Sequence, residues 1–176
     1  MPATYEPIAT STLGSAAATI SFTSIPSTYT DLVIVVYANS TASNHLYARW
    51  GNGSYDSGTN YSNVGLYTRE TTNDFGCERN ANVTYARLNP FTYGVPAAAS
   101  TFGTTLVHLQ NYSNTTTFKT AISRTAGLGA GEYAGTEVAA FLWRSTSAIN
   151  QIQFTTASGS NFIIGTTITI YGIKAA

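Results

Sequence analysis

Apolar residues along this chain either alternate with polar residues or gather in short runs, and no segment keeps the spacing of an amphipathic helix. Strict alternation at residues 20–23, 118–122 and 152–154 predicts strands with one buried face and one wet face. The unbroken run at residues 32–36 predicts instead a central strand that is covered on both faces. We expect the core to cover one face and a partner subunit or loop to cover the other.

Strands and turns follow one another along the whole sequence. Strands are predicted at residues 5–10, 19–23, 32–38, 46–50, 64–68, 83–88, 106–112, 117–123, 138–143, 149–155 and 167–173. Asn52-Gly53 predicts a tight hairpin with a type I′ turn, and the glycine-rich segment 127–131 predicts a loop. Many short strands without intervening helices favour a single all-β domain over residues 1–176, built as a sandwich or barrel.

Charged residues are unusually scarce, at 9% of the chain against about 25% in an average soluble protein. Ser, Thr, Asn, Gly and Tyr must therefore form most of the surface. Eight basic and eight acidic residues give a net charge of zero, which argues against a nucleic-acid partner because such proteins carry a basic excess. Weak self-repulsion favours association, so we expect a homo-oligomer.

Segments that direct a chain to a membrane are not evident in the sequence. The longest apolar stretch, at residues 32–38, is far shorter than the roughly 20 residues that span a bilayer. Residues 1–7 lack the basic segment and apolar run of a signal peptide. We therefore expect a protein that is assembled in a cytoplasm and has no membrane partner.

Candidate nucleophiles and bases are few. His45 and His108 are the two histidines, and neither has metal-ligand spacing around it, so a strand histidine with a backbone or cross-strand partner is the favoured interpretation. Cys77 is the single cysteine and cannot form an internal disulfide. A thiol nucleophile paired with His108 is the alternative to a small buried thiol, which we favour.

Acidic residues are equally sparse, and ordinary surface pairing is the favoured interpretation of Glu6, Asp31, Asp56, Glu70, Asp74, Glu78, Glu132 and Glu137. A polysaccharide-degrading enzyme would need two of them across a cleft. The segment 52–58 around Asp56 resembles a calcium loop faintly, but it lacks the alternating acids and the bidentate Glu. The glycine loop lacks the Lys-Ser/Thr of a phosphate cradle. We predict no catalytic residue, no cofactor and no metal.

Tyrosine is abundant, with 12 copies, and several of them fall in predicted turns. A tyrosine in a loop gives a large, rigid contact area with a polar tip, which suits a protein interface or a sugar-stacking platform. A tyrosine that caps the end of the sandwich explains each position equally well. The predicted interface residues are Tyr55, Tyr61, Tyr93 and Tyr133.

Several segments together resemble a family of tailed-phage virion proteins. The resemblance begins with Tyr5-Glu6-Pro7-Ile8-Ala9-Thr10 and Leu13, followed by Ile20-Ser21-Phe22-Thr23-Ser24-Ile25-Pro26 and Tyr29-Thr30-Asp31-Leu32. It continues through Gly58-Thr59-Asn60-Tyr61-Ser62, Asn111-Tyr112-Ser113-Asn114-Thr115, Phe118-Lys119-Thr120 and Trp143-Arg144-Ser145-Thr146, and ends at Ile170-Tyr171-Gly172-Ile173. It covers nearly the whole chain.

This resemblance implies an antiparallel jelly-roll-type β-sandwich without a catalytic residue. It also implies a structural role in a virion, as a capsid decoration (cement) protein that binds the major capsid protein or other virion proteins. We expect a homo-oligomer, most plausibly a trimer, that stabilises the shell. The alternative within the virion is a tail-fibre or receptor-binding domain whose loop tyrosines contact host surface glycans.

Four residues of these motifs predict local structure. Asp31 follows a turn and is expected to bond its own backbone. Lys119 and Arg144 are expected to cover apolar surface with their stems while their charges reach water. Gly172, inside the last strand, predicts a bulge or a close backbone approach.

Overall fold

Twelve strands and no helix make up the described part of the chain. The structure is a computed structural model, and it describes residues 4–69, 74–89, 97, 101–128 and 134–174. The strands are β1 (Tyr5–Thr12), β2 (Thr19–Phe22), β3 (Asp31–Ala38), β4 (Leu46–Gly51), β5 (Tyr61–Arg69), β6 (Asp74–Val83), β7 (Ala86–Arg87), β8 (Gly103–Gln110), β9 (Lys119–Leu128), β10 (Ala134–Trp143), β11 (Gln151–Thr156) and β12 (Thr167–Ile173).

The strands form two antiparallel sheets that pack into a sandwich. The large sheet has the order β1-β12-β3-β8-β9-β10-β5-β6, and the small sheet has the order β2-β11-β4-β7. The first four strands of the large sheet, β1-β12-β3-β8, oppose the small sheet as the two four-stranded sheets of a jelly roll oppose each other. In that fold, long connections cross from one sheet to the other. The predicted all-β, antiparallel, single-domain sandwich is confirmed.

Two hairpins are added to this jelly roll. One is β5–β6, inserted between β4 and β7, and the other is β9–β10, inserted between β8 and β11. They meet because β10 pairs with β5, while β9 pairs with β8 of the jelly roll. We call the four strands β9, β10, β5 and β6 the extension, because they lengthen one sheet beyond its partner sheet.

The core lies between the two sheets, and β3 shows how the pattern of residues fills it. Leu32, Ile34 and Val36 point to the core and are almost fully buried. Val33 points to the opposite face and is also buried, at 8% exposed, whereas Tyr37 on that face is 48% exposed. The strand is therefore covered on both faces in its first half only.

An aromatic cluster ties the small sheet to the extension. Trp50 of β4, Tyr61 of β5 and Trp143 of β10 are all buried, with ring centroids 5.9 to 6.3 Å apart. The Tyr61 hydroxyl accepts a hydrogen bond from the Trp50 backbone N–H at 3.0 Å and lies 3.1 Å from the carbonyl oxygen of Asp56. Burial raises the pKa of Tyr61, so the hydroxyl keeps its proton.

Several local predictions need correction. The connection after β4 is not a type I′ turn, because only Gly53 has a positive φ, of 78°, and Gly51 bridges to Tyr55 across three residues. The predicted strand 83–88 is instead the end of β6 and the short β7. Gly127 lies within β9, while residues 129–131 of the predicted loop fall outside the described residues.

Two charged residues also differ from expectation. Lys119 is fully buried rather than reaching water, and its Nζ donates to the carbonyl oxygens of Thr117 and Thr146. This burial lowers the pKa of Lys119. Asp31 does not bond its own backbone but accepts from the Asn111 N–H at 2.8 Å and contacts His108. Both residues therefore join neighbouring segments at one end of the sandwich.

Gly172 of β12 permits a close approach, as its position in the last strand predicted. A Cβ atom at this position would lie 2.3 Å from the Tyr29 ring. The Tyr29 hydroxyl in turn donates to Glu6 of β1, and Glu6 pairs with Lys174 at 2.9 Å. The glycine thus lets an aromatic ring lie flat on the strand beside these contacts.

We predict that Tyr61→Phe lowers the free energy of unfolding by about 1–3 kcal/mol, because the buried Trp50 N–H loses its acceptor. Urea denaturation followed by tryptophan fluorescence measures this loss. Tyr37→Phe is the matched control, since it keeps the stack on Phe102 and removes an exposed hydroxyl. The control is expected to change the free energy by less than about 0.5 kcal/mol. Equal effects of the two substitutions would contradict the role of the Tyr61 hydroxyl.

Candidate docking face of the extended sheet

The outer face of the extension exposes large apolar side chains. Val64 and Leu66 of β5 are 53% and 66% exposed, Val138 of β10 is 49% exposed, and Ile122 of β9 is 43% exposed. Phe75, near the start of β6, is 83% exposed. Single exposed apolar residues are ordinary, but a cluster of this kind on one face marks an interaction surface.

The pairing register explains why these residues lie together. Side chains at directly opposed positions of neighbouring strands point to the same face. Ala140 of β10 is opposed by Ile122 on one side and by Val64 on the other. Val138, two residues away, is opposed by Leu66. The outer face therefore carries a continuous apolar band across β9, β10 and β5.

Hollows lie between the exposed side chains of the large sheet. One, of 320 Å³, lies on the outer face of the extension and is lined by Ser62, Val64, Arg79, Ala81, Ala140 and Leu142. Another, of 230 Å³, is lined by Tyr5, Val33, Leu106, His108, Ile122 and Arg124. Ala140 has a small side chain and lies between Ile122 and Val64, so the first hollow can receive an apolar side chain of a partner.

The charge on this face has one sign. Arg79 of β6 and Arg124 of β9 are exposed on the outer face, beside Val64 and Val138 respectively. Glu78 and Glu137, the carboxylates of the extension whose side chains the structure describes, both occupy inward positions. The band therefore suits a partner surface that is apolar and carries carboxylates.

A second, polar cleft lies at the end of the sandwich beside Asp56. Its volume is 360 Å³, and its lining residues are Gly51, Asn52, Ser54, Tyr55, Asp56, Ser57, Gly58, Trp143, Ser145 and Ser147. The Asp56 carboxylate accepts from the Trp143 indole N–H at 2.6 Å, from Asn60 at 2.9 Å and from the Gly58 N–H at 2.8 Å. These bonds make Asp56 a structural anchor for the loop.

The pKa of the Asp56 carboxyl reflects two opposing causes. Burial would raise this pKa, but the hydrogen bonds from Trp143, Asn60 and Gly58 outweigh burial and hold it below its ordinary value. The ionised form therefore stabilises the fold. The charge is already engaged by three donors, which leaves it poorly suited to proton transfer.

The predicted chemical residues are far apart. The His45 ring lies 2.8 Å from the Asn89 carbonyl oxygen, and His108 lies 2.9 Å from an Asp31 carboxylate oxygen. Both histidines therefore have the backbone or cross-strand partners that were favoured. Cys77 is exposed on β6, so the prediction of a buried thiol is wrong. Four strand spacings, or about 19 Å, separate it from His108, which rules out a thiol–imidazole pair.

The predicted interface tyrosines fall into three groups. Tyr55 lines the polar cleft and is partly exposed. Tyr61 is fully buried, so its prediction as an interface residue is corrected, because the start of β5 turns its ring into the aromatic cluster. Tyr93 and Tyr133 lie outside the described residues.

The acidic residues form local pairs in part. Glu6 pairs with Lys174, and Glu78 lies 3.6 Å from Arg87. Glu137 departs from the expected surface pairing, because it is only 2% exposed on the inner face of β10. Glu70 and Glu132 lie outside the described residues.

The described residues lack two features that would point to a metal or to a membrane. No group of three or more His, Cys, Asp or Glu side chains suited to holding a metal ion occurs among them. Within the same residues, no helix has the length and apolar character needed to cross a membrane.

Fold and site together define an all-β sandwich with an extended sheet that exposes an apolar face. Comparison of the chain with protein-family models, with curated proteins and with solved structures finds no match in any of the three. The resemblance to phage virion proteins therefore stays a prediction.

We predict that Asp56→Asn destabilises the fold at neutral pH by about 1–3 kcal/mol, because an amide nitrogen cannot accept the bonds from Asn60 and Trp143. The extra stability of the wild type is fully present above the pKa of Asp56 in the unfolded chain, about 3.9. It is lost as the pH falls through the lower pKa of Asp56 in the folded protein. Urea midpoints of both proteins between pH 7 and acid measure this convergence. A difference that stays constant with pH would contradict the account.

Proposed function

We propose that this chain is a non-enzymatic structural subunit of a tailed-phage virion, a capsid decoration protein that binds and stabilises the shell. The observation that carries the proposal is the apolar band on the outer face of the extension. Val64, Leu66 and Val138 expose about half or more of their side chains there, on regular strands rather than on loops. A rigid, flat face of this kind suits a permanent contact with a large surface.

The charge of the band identifies the chemistry of its partner. Arg79 and Arg124 flank the apolar residues, and the whole chain carries no net charge. A major capsid protein whose outer surface combines apolar patches with carboxylates would complement this face. Two copies packed face to face would oppose arginine to arginine in places, which makes the shell the better occupant.

Association of copies belongs to the same proposal. The surface is poor in charge and rich in Ser, Thr, Asn and Tyr, so copies repel one another weakly. A homo-oligomer on the shell multiplies contacts that are individually modest, which raises the total affinity without any new contact. A trimer is the form that the resemblance implies.

We predict that Leu66→Asp weakens binding to emptied capsid shells by about tenfold or more, because a carboxylate replaces a central apolar contact of the band. Ile164→Asp is the matched control, since Ile164 is 63% exposed in the connection between β11 and β12, outside the extension. Co-sedimentation of purified protein with shells measures both affinities. Equal binding by the wild type and Leu66→Asp would remove the band from the proposal.

A second function is favoured by the polar cleft beside Asp56. A tail-fibre or receptor-binding domain that contacts host surface glycans would use such a cleft, because sugars bind to hydroxyl, amide and aromatic groups together. Tyr55 supplies the aromatic ring, and Asn52 and Ser145 supply polar groups. Binding of host glycans that Tyr55→Ala abolishes, with no binding to shells, would favour this function over decoration.

A further inference from the structure

The strand β6 forms the outer edge of the extension and differs from the other sheet edges. Of the edge strands, β2 has four residues and β7 has two, whereas β6 has ten. The fourth edge, β1, carries Pro7 and a break in register between Pro7 and Ala9. Proline and bulges protect an edge from further pairing, and short edges offer few hydrogen bonds. The edge that lacks these protections is β6.

The regular part of β6 is well fixed by its neighbour β5. The register holds from Asp74 to Ala81 and breaks near Asn82, which has a φ of 58°. On the inner side, Tyr67 of β5 covers Gly76, where a Cβ atom would lie 2.7 Å from the tyrosine hydroxyl. No backbone hydrogen bond to another described residue occurs on the side of β6 away from β5. Among the described residues, the strand is therefore paired on one side only and offers its other side as an edge.

Charge restricts how this edge can pair with a second copy of itself. In a twofold antiparallel pair, one residue meets its own copy, and residues equally far on either side of it oppose each other on the same face. A pair centred on Glu78 opposes two carboxylates, and a pair centred on Arg79 opposes two guanidinium groups. Centring on Gly76 would set Glu78 against Asp74. Like charges in these positions are destabilising.

The register centred on Cys77 avoids every one of these conflicts. It sets Cys77 against Cys77 of the second copy and Glu78 against Gly76. On the outer face it sets the exposed Arg79 against the exposed Phe75, which allows a cation–π contact in each half of the pair. Centring on Asn80 would run the ladder through the break at Asn82, so it is the poorer choice.

We propose that two copies of this chain join through antiparallel pairing of their β6 strands, in the register centred on Cys77. The occupant of this edge is a second copy, because that register opposes no like charges and sets Arg79 against Phe75 in each half of the pair. The pairing lengthens the large sheet across the twofold axis and places the two apolar bands side by side. It goes beyond the proposed function, since it requires no shell. In a trimeric assembly, this contact would join neighbouring trimers.

A charge exchange at Cys77 tests the pairing, because this exposed position can change without disturbing the core. Cys77→Asp and Cys77→Lys are each expected to weaken the dimer by roughly tenfold or more, since like charges meet at the twofold axis. An equal mixture of the two variants is expected to restore a heterodimer. Native mass spectrometry of purified protein without shells measures all three samples. A dimer that tolerates either variant alone, or a wild type without dimer, would overturn the proposal.

Crosslinking tests the register independently. In a Cys77→Ser background, Phe75→Cys mixed with Arg79→Cys is expected to form a disulfide between the two variants when diamide removes two electrons and two protons from the two thiols. Each variant alone is expected to form none, because its copies lie about four residues apart along the strands. Val64→Cys in the same background is the control, as an exposed thiol one strand inside the edge. Crosslinking of the control, or none between the mixed variants, would contradict the register.

Loss of shell binding and loss of pairing remain distinguishable. Leu66→Asp alters the apolar band and leaves the edge of β6 in place, so it is expected to pair normally while binding shells poorly. Because Cys77 is opposed to Leu66 on the same face, the Cys77 variants are used only to measure pairing in the absence of shells, and shell binding is measured with Leu66→Asp. Failure of the pairing therefore overturns this inference without deciding the proposed function.

Discussion

The pairing of β10 with β5 is the contact on which the rest of the molecule depends. It runs without a break from Gly135↔Arg69 to Trp143↔Tyr61 and joins two hairpins that come from separate insertions of the jelly roll. Without this ladder, the β5–β6 hairpin would be a two-stranded ribbon, which is marginal in water by itself, whereas β9–β10 would still be joined to β8. With it, the hairpins become part of one eight-stranded sheet.

The two faces of the extension therefore differ in what they contact. The inner face carries Tyr61 and Trp143, which pack on Trp50 of the small sheet, while a hydrogen bond from Trp143 holds the Asp56 loop. The outer face has no described sheet against it, because the small sheet packs on the opposite, inner face. Leu66 and Val138 stabilise the sheet little while they remain exposed, because an apolar side chain contributes to stability only when it is removed from water. Their cost in solubility is the physical reason to expect a partner.

Much of the fold follows from the local pattern of residues. Alternation located β2 and β11, and the unbroken run located β3, because a pleated strand turns successive side chains to opposite faces. The strand β6 was missed because Gly76, Glu78 and Asn80 supply no apolar face of their own. Tyr67 of β5 covers this inner side, and the sequence of β6 alone cannot predict a contact made by another strand.

The docking face was less accessible to sequence reasoning than the fold. The alternation at Val64 and Leu66 is visible in the sequence, but whether these residues or their neighbours face the core depends on pairing with β10. The same limit explains Tyr61, which reads as a turn tyrosine and is in fact the first core residue of β5. Cys77 was read as buried because a thiol is usually an interior group, whereas its edge strand turns it outward.

We propose that the outer face of the extension is the surface by which this protein joins a capsid shell. Cryo-electron microscopy of emptied shells saturated with the purified protein tests this proposal. We expect density in which β5 and β10 lie against the shell and Val64, Leu66 and Val138 are covered. A reconstruction in which that face points to solvent, with the small sheet against the shell, would contradict it.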